Sequence, residues 1–431
     1  MKLSGDWVIA TSLGLGLFII YLSAPVYYGS DAEYAVPQIV SILQHGDQNL
    51  DEYAHLYKKQ YQILKINGHY YDAFPFGTVY LGLVPALFLQ LIYDPNYISL
   101  HREEFALIIA GILMALASSI FYRLGRLNHL SLPKSLLLAL IAGLGTSILS
   151  TGSRALWQQS GIMLMYTLIL YCYEYYRKTE RPIWIGFISL LLGFSFAVRP
   201  LSAILIVCLG IQLFLTHWKK PRTLLMLVLP GLIVIGALVV QSYTLFGNWL
   251  HPYYLMDRPG HDNITGALAA NLFSPARGLF FWHPILLYSF VWMIRSPAHG
   301  THSSIYGTLL IVCFLHLLAV SAFKHWWGGH SMGPRLTSDL VPLLLYSLIP
   351  AIREINHWKR PAFTLSFILL AFLGIAMHLR AVFVPEVGKW NLGPPDVDRA
   401  PNRIWKDSPP ILSGDRTFRT LLKMPVPPKP E

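Results

Sequence analysis

Three acidic side chains bracket the segment that follows the first long apolar run of the chain. Asp31 and Glu33 lie in YYGSDAEY, directly after residues 8–21, and Asp72 lies in YYDAFPFG, where the next apolar run begins. A carboxylate in such a place can act as a general base, because it can accept a proton from an attacking hydroxyl group. We therefore take Asp31, Asp72 and Glu33 as candidate catalytic residues.

Each acid also has a structural interpretation. Ser30 and Glu33 match a capping box at the start of a helix, and Asp31 would complement the positive end of that helix. A cap or turn role competes with chemistry for Asp72 as well. We favour chemistry for Asp31, because Asp72 closes the same loop and both loop ends are tethered to adjacent apolar runs.

Cations and aromatic rings are concentrated in the stretch AFKHWWGGHSMGPR at 322–335. Lysine and arginine recognise phosphate, and tryptophan faces stack on sugar rings. The alternative is an aromatic belt with snorkelling cations. The stretch NLFSPARGL adds another arginine, for which a turn at the membrane is the alternative. The candidate substrate-binding residues are Lys324, His325, Trp326, Trp327, His330, Arg335 and Arg277.

The sequence gives no strong signal for a metal or nucleotide site. It has no phosphate-binding glycine loop of the P-loop kind, no paired-cysteine zinc motif and no metalloprotease helix motif. His325 and His330 could meet a metal together with Asp339, but their spacing is weak support. We therefore expect no metal ligands and no required cofactor.

Composition indicates a membrane protein. Of 431 residues, 54% are hydrophobic and 13% are charged, whereas soluble domains carry roughly a quarter charged residues. Helices are expected for the apolar runs, because lipid offers no partner for backbone polar groups. The formal charge of +11 comes from short clusters between these runs. Such clusters are typical of cytoplasmic loops and do not indicate nucleic-acid binding.

The apolar runs predict an all-α polytopic bundle of about 11–13 transmembrane helices. The basic clusters place the first residue inside and the tail outside, which requires an odd number of crossings. The predicted runs are even in number, so one of them should not cross, and the candidates are 133–150, 158–173 and the Arg199-Pro200 pair. The runs are 7–27, 76–93, 104–122, 133–150, 158–173, 183–198, 200–217, 223–245, 283–294, 303–322, 338–352 and 361–379.

A single transmembrane domain, 1–379, is expected, with its polar segments on the external face. The first external loop, 28–75, should contain an amphipathic helix over 32–45 that lies on the membrane surface and bends at Pro37. The other external segments are 246–282, 323–337 and the tail 380–431, whose end PVPPKPE is expected to be disordered.

Several stretches, in this order, resemble the integral-membrane glycosyltransferases of the GT-C fold. This superfamily includes the protein O-mannosyltransferases and the lipid A aminoarabinose transferases. The resemblance covers nearly the whole chain. The stretches are SDAEY, HGDQNLDEY, YDAFPFGTVYLGLVPALF, RP at 199–200, LFGNWLHPYY, LFSPARGLFFWHP, WWGGHSMGPRLTSDLVPLL and PDVDRAPNRIWKDSPPIL.

The resemblance implies transfer of a sugar from a polyprenyl-phosphate carrier to a glycan, lipid or protein acceptor. The reaction would occur at the external face of a membrane, and a bacterial inner membrane is expected. Asp31 matches the acid that begins the first external loop, the usual catalytic residue of the family. Asp72 matches the acid that precedes a proline at the second span in the aminoarabinose transferases.

One departure from the family pattern concerns the carrier phosphate. The aminoarabinose transferases follow that second acid with a lysine that meets the phosphate, whereas this chain has Ala73. Lys324 or Arg335 is then expected to meet the phosphate in its place. A phosphate paired with a cation leaves readily, so no metal is required, although some relatives of this fold use one.

Two other functions compete with the transferase. Arg199, inside an apolar stretch, would suit a secondary transporter, but transport sites usually lie at mid-membrane and the acids here lie in external loops. A non-catalytic membrane subunit that binds a lipid-linked glycan is the third possibility. Sugar transfer that persists after Asp31→Asn would favour it.

Overall fold

The computed structural model describes residues 3–27, 29–56, 61–295, 303–355, 361–393 and 395–406. Helices and a single small hairpin make up the secondary structure of these residues, which confirms the predicted all-α polytopic fold. The helices are α1 (Leu3–Leu22), α2 (Ala35–Gln44), α3 (Gly77–Gln90), α4 (Pro95–Leu100), α5 (Arg102–Leu127), α6 (Leu132–Leu144), α7 (Gln158–Thr179), α8 (Pro182–Val198), α9 (Ala203–His217), α10 (Pro221–Phe246), α11 (Ile264–Phe273), α12 (Leu279–Trp282), α13 (Leu286–Arg295), α14 (Ser303–Ser321), α15 (Val341–Ser347), α16 (Ile349–Glu354), α17 (Pro361–Phe383), α18 (Pro385–Lys389) and α19 (Arg403–Lys406).

Six helical segments in the described ranges are long and apolar enough to cross a membrane, and the protein is an integral membrane protein. Two of them form the centre of the bundle, since 78% of the α5 window and 83% of the 335–354 window are buried. Only 6% of the α10 window is buried, so α10 lies at the periphery and turns its apolar side chains toward lipid. Shorter apolar helices fill the bundle between them.

The bundle has two chemically different ends. At one of them, which we call the site end, Arg102 at the start of α5 pairs with Glu33 at 2.8 Å. At the other, which we call the basic end, Arg126 near the end of α5 pairs with Asp6 at 3.1 Å. The cationic clusters 177–181 and 217–222 also lie at the basic end. Tyr176, directly before the first cluster, hydrogen-bonds to His217, the first residue of the second.

The expected crossing at 76–93 is wrong, because α3 begins and ends at the site end. Gly77 packs on the backbone of Val198, and Gln44 of α2 donates a hydrogen bond to Gln90 at 2.9 Å. Tyr93 then packs on Phe105 in the first turn of α5. Both ends of α3 therefore lie at the same end of the bundle, so this segment does not cross.

The conflict over the number of crossings disappears once 76–93 is removed. The three segments suspected on the sequence, 133–150, 158–173 and Arg199-Pro200, belong to helices that do connect the two ends. The start of α1 then lies at the basic end, and the described part of the tail, up to residue 406, lies at the site end, where Arg277 donates to Asn391 at 2.6 Å. The stretch PVPPKPE, predicted to be disordered, lies outside the described residues. The apolarity of α3 reflects exposed side chains such as Val84 and Phe88 on a helix that lies along the membrane surface.

The first loop contains a β-hairpin that the sequence analysis did not predict. Strand β1 (Ile63–Ile66) pairs antiparallel with β2 (His69–Asp72), so Ile63 lies opposite Asp72. Asn67 and Gly68 form the turn with φ values of 51° and 90°. Asn-Gly favours such a two-residue hairpin turn, so the signal was present in the sequence.

Helix α2 differs from the surface helix predicted over 32–45. It begins at Ala35, and both its apolar side chains, such as Ile39, and its polar side chains Gln38 and Ser41 are buried. It packs against α3, α4 and α5 and is therefore enclosed by protein. Pro37 lies in the first turn, where a missing N–H group costs no helical hydrogen bond, so no bend is required.

Candidate functional site

Asp31 lies at the centre of a group of side chains at the site end. It belongs to a 3₁₀ turn, Ser30–Ala32, that follows α1. One carboxylate oxygen pairs with Nη2 of Arg335 at 2.5 Å, and the other accepts a hydrogen bond from the Tyr61 hydroxyl at 2.6 Å. The fold therefore brings together an acid and a cation that are 304 residues apart in the chain.

Arg335 is held by its own helix and by an aromatic ring. It begins the 3₁₀ helix Arg335–Leu340, and its guanidinium carbon lies 4.0 Å from the ring centroid of Trp157. Such stacking orients the planar guanidinium group and leaves its edge for hydrogen bonds. The turn before it requires Gly333, since φ is +62° and a Cβ atom would lie 2.9 Å from the Trp282 ring.

The surroundings keep Asp31 negatively charged. Burial by itself would raise the pKa of this carboxyl, but the charge of Arg335 and the hydrogen bond from Tyr61 lower the pKa below its ordinary value. The charge of Arg258 acts in the same direction. Asp31 is therefore an anion at neutral pH, paired with a cation that a phosphate could also bind.

Asp72 has the opposite electrostatic character. It ends β2, is only 3% exposed, and accepts a hydrogen bond from the backbone N–H of Phe74 at 3.1 Å. Burial raises its pKa to about 8, and the negative charge of Asp31 contributes to the rise. The two acids are linked through aromatic residues. Tyr61, which donates to Asp31, packs edge to face on Phe74, whose backbone N–H donates to Asp72, and the ring centroids are 6.5 Å apart. The structure thus brings Asp31 and Asp72 together and separates their pKa values.

Glu33 makes a structural contact. Its carboxylate accepts from Arg102 at 2.8 Å, and this ion pair fastens the first loop to the start of α5. The capping box expected at Ser30 and Glu33 is wrong. Helix α2 begins at Ala35, and Tyr34 before it makes no side-chain cap.

Lys324 and His325 lie on the outside of the 322–335 segment. The Lys324 ammonium pairs with Asp257 at 2.6 Å, and both side chains are largely exposed. The His325 ring is exposed and packs at a tilt against the Trp327 ring, with ring centroids 5.2 Å apart. The hydrogen-bond partners of Asp31 are Tyr61 and Arg335, so this part of the segment stands apart from the acid.

Trp326 and Trp327 are buried, at 7% and 8% exposure. They form a small apolar cluster with Ala267, Val397 and Ile404. The Trp327 indole N–H donates to Asp398 at 2.7 Å. Little ring surface is left for stacking on a sugar, and the two rings join the segment to the tail.

Arg277 is also enclosed by protein, at 2% exposure. It donates hydrogen bonds to the backbone carbonyls of Trp327 and Gly329 and to Asn391. Burial lowers its pKa to about 10. This geometry gives Arg277 a role in fixing the 322–335 segment, because its donors are directed at backbone and tail.

His330 forms the one group in the described ranges that has metal-ligand geometry. It pairs with Asp396 at 2.8 Å and with Asp398 at 3.5 Å, and the three possible ligand atoms lie within 4.8 Å of one another. The suggested partner Asp339 is elsewhere, in a buried ion pair with Arg199 at 2.5 Å. That pair also gives Arg199 a partner inside the protein.

Several residues of the site were missed on the sequence. Tyr61 and Trp157 carry no local signal, since only tertiary contact places them against Asp31 and Arg335. Arg258 could have been found, as an arginine in the polar segment 246–282. Its guanidinium carbon lies 4.0 Å from the ring centroid of Tyr253, and its charge reaches Asp31.

An apolar groove opens at the site end, between α3, α8 and α10. Aromatic rings lie between the groove and the loop that contains Asp72. The ring centroids of Phe74 and Tyr253 are 5.5 Å apart, and those of Phe76 and His251 are 5.0 Å apart. The groove therefore reaches the end of the first loop, since Pro75 and Phe76, which follow Asp72 closely in the chain, are among its lining residues. Its lining includes Phe196, Ile235, Leu238, Val239, Phe246 and Tyr254.

The fold and the site together define a polytopic membrane protein of the GT-C fold. The fold matches the crystal structure of ArnT from Cupriavidus metallidurans bound to undecaprenyl phosphate, with a TM-score of 0.50. The two chains are 11% identical over 90% of this chain and 73% of that one. No family model and no curated protein matches the sequence.

Two archaeal structures are also similar, and the chain spans a little over half of each. An oligosaccharyltransferase from Archaeoglobus fulgidus tethered with an acceptor peptide has a TM-score of 0.48, 13% identity, and coverage of 88% of this chain and 54% of that one. AglB from the same organism, with an inhibitory peptide and a dolichol-phosphate, has a TM-score of 0.47, 12% identity, and coverage of 93% and 59%.

Proposed function

We propose that this protein is a glycosyltransferase that moves a sugar from a polyprenyl-phosphate carrier to an acceptor at the external face of a bacterial inner membrane. The observation that carries the proposal is the Asp31–Arg335 pair beside an apolar groove. An acid, a phosphate-binding cation and a hydrocarbon slot are the three elements that such a reaction needs. The fold shared with an enzyme bound to undecaprenyl phosphate supports the same assignment.

Arg335 is the proposed binding group for the carrier phosphate. Arginine binds phosphate through two parallel hydrogen bonds, and its orientation over Trp157 leaves the edge of the group available. Arg258 supplies a second positive charge near Asp31. Lys324 is the weaker candidate, because it is exposed and paired with Asp257.

Asp31 is the proposed general base. When the phosphate binds Arg335, the carboxylate loses part of the interaction that lowers its pKa, and it becomes more basic as the donor arrives. It then accepts the proton of the acceptor hydroxyl. The acceptor oxygen forms the new bond to the anomeric carbon, the bond from that carbon to the phosphate oxygen breaks, and the phosphate leaves with the electron pair.

Asp72 would assist as a neutral group. Because its pKa is raised to about 8, it is mostly protonated at neutral pH and can donate a hydrogen bond to a sugar hydroxyl or a phosphate oxygen. Glu33 would take no proton, since it positions the loop through Arg102. The acid that accepts the proton is then distinct from the acid that binds substrate.

The cations already present would neutralise the departing phosphate, so we propose that no metal cofactor is required. Stabilisation of developing charge by fixed cations is commonly the largest contribution to such catalysis. His330, Asp396 and Asp398 would be the ligands if a divalent ion takes part. This proposal requires that removal of divalent ions leaves transfer intact.

The test is transfer of radiolabelled sugar from polyprenyl-phosphate donors by the purified protein in lipid. We expect transfer by the wild type with and without chelator, and a loss of about 10²–10⁴-fold in Asp31→Asn. The matched control is Asp257→Asn, which removes an exposed acid and should leave transfer nearly unchanged. If well-folded wild type turns over no donor, the proposal is wrong. Retained transfer in Asp31→Asn would reject Asp31 as the base.

A further inference from the structure

A large cavity lies at the basic end of the bundle, among α5, α7, α13, α14 and α16. It has a volume of about 660 Å³, and its described lining residues include four cations, Arg177, Lys178, Arg295 and Arg353. The lining also contains one carboxylate, Glu174, and the ring of Trp292. Among the lining residues that the structure describes, cations therefore outnumber acids by four to one.

Other contacts occupy the one acid of the lining. Glu174 is 1% exposed, accepts from Arg177 at 2.7 Å and also binds the hydroxyl of Tyr346. Its charge is thus already balanced by a single guanidinium group. Arg353 donates to the backbone carbonyl of Asn128 at 2.8 Å, which fixes it in the wall without neutralising it. The cavity retains a positive potential that favours an anion.

This cavity is separate from the Asp31 site. Helix α7 runs between them, with Gln158 near Arg199 at the site end and Arg177 at the basic end. Its 22 residues span about 33 Å, more than three Debye lengths at physiological salt. The lining residues have no place in the proposed reaction.

The surroundings indicate a lipid ligand more strongly than a soluble anion. Val291 and Ile294, on the same turns of α13 as Trp292 and Arg295, are 41% and 54% exposed and offer apolar surface beside the cavity. Trp292 and Tyr306 are amphipathic rings of the kind found where the membrane meets water. The volume exceeds that of a phosphate ion and accommodates a headgroup with its glycerol.

We propose that this cavity binds the phosphate headgroup of an anionic membrane phospholipid. Lys178, Arg295 and Arg353 would hold the phosphate, since Arg177 balances Glu174, and the acyl chains would leave along the exposed apolar side of α13. Basic pockets between helices, at the end that the charge distribution predicts to be cytoplasmic, are suited to such headgroups. The site is independent of the transferase proposal.

The test is native mass spectrometry of the delipidated full chain in detergent, titrated with phosphatidylglycerol or phosphatidylcholine. We expect the wild type to bind phosphatidylglycerol at least tenfold more tightly than phosphatidylcholine. In Lys178→Gln/Arg295→Gln that affinity should fall by about thirtyfold, the effect of two lost cations at a membrane surface. Thermal unfolding of each variant checks that it remains folded.

The matched control is Lys219→Gln/Arg222→Gln, which removes two exposed cations from the same end but outside the cavity. It should bind phosphatidylglycerol like the wild type. Equal binding of the two lipids by the wild type, or an equal loss in the control, would overturn the proposal. A parallel titration tests whether the ligand is a soluble anion. If 1 mM inorganic phosphate fully prevents the binding of phosphatidylglycerol, the lipid is rejected as the ligand in favour of a free anion.

Discussion

The two ends of the bundle handle charge in different ways. At the site end, acids and cations are matched in pairs, such as Asp31 with Arg335, Glu33 with Arg102, and Asp257 with Lys324. At the basic end, the cavity wall holds four cations and one acid. Both ends contain several arginines. The two ends differ in how many carboxylates lie close to these cations.

This difference indicates how each end can receive an anion. A phosphate at the site end must replace a carboxylate as the partner of Arg335, and the replaced carboxylate then becomes a stronger base. In the proposed reaction, phosphate binding and activation of the base would be coupled through the Arg335 guanidinium group. At the basic end the described cations of the cavity wall outnumber its acids, which suits a lipid that remains bound and takes no part in chemistry.

The largest expected effect comes from Arg335→Gln, which breaks the pairing at the site end. We expect transfer to fall by about 10²–10³-fold, the cost of removing one donor that stabilises developing charge. The pKa of Asp31 should rise without its cation, so the acidic limb of the pH–rate profile, where the base becomes protonated, should move to higher pH. Measurement of kcat/KM against pH checks both effects.

Arg335→Lys serves as the control for that variant, since it keeps the charge but loses the planar group that stacks on Trp157. Its loss of activity should be smaller than that of Arg335→Gln. Transfer by Arg335→Gln within threefold of the wild type would remove Arg335 from the mechanism.

Asp72→Asn sharpens the contrast between the two acids. The folded pKa of Asp72, about 8, lies above the ordinary value of 3.8, so wild-type stability should fall as pH rises from about 4 to about 8. Asparagine does not ionise, and the variant should gain stability relative to wild type across that window, by a few kcal/mol at the upper end. Unfolding midpoints measured at several pH values test this, and a difference that stays constant with pH would contradict it.

Glu33→Gln separates a structural pair from the catalytic one. The Glu33–Arg102 pair is about one-fifth exposed, and its loss should destabilise the fold by about 1 kcal/mol. Transfer per folded molecule should stay within a few-fold of the wild type. Glu103→Gln, which removes the longer contact to the same arginine at 3.5 Å, is the matched control. A hundredfold loss of transfer in Glu33→Gln alone would return Glu33 to the catalytic group.

The smallest effect is expected for Lys324→Gln. This lysine is 48% exposed and pairs with an acid that is 78% exposed, so water and salt screen the interaction. Stability should change by less than about 1 kcal/mol, and transfer should change little. Parallel unfolding and transfer measurements check this. A large loss of transfer would identify Lys324 as the phosphate ligand and shift the site toward the 322–335 segment.

The sequence predicted the membrane fold well, because hydrophobic run length and charge placement are local properties. It also selected Asp31, Asp72 and Arg335, which the structure brings into one region. It failed at α3, where a helix lying along the membrane and a helix crossing it share the same apolar composition. It also left the Asn-Gly hairpin unrecognised.

The choice among the cations could not be made on the sequence. Lys324 and Arg335 lie in one short segment, and only the fold pairs one with Asp257 and the other with Asp31. The tryptophans are a similar case. Trp326 and Trp327 looked suited to a sugar, but Val397 and Ile404 from the distant tail cover them.

The sequence by itself determined that the chain enters the membrane, that its backbone is helical there, and that its acids lie where helices leave the lipid. These follow from the cost of placing apolar groups in water and unpaired polar groups in lipid, which each segment meets on its own. The tertiary structure decided which acid stays charged, which becomes neutral and which arginine faces it. A pKa depends on burial and on charges within a few ångströms, and those neighbours come from parts of the chain hundreds of residues apart.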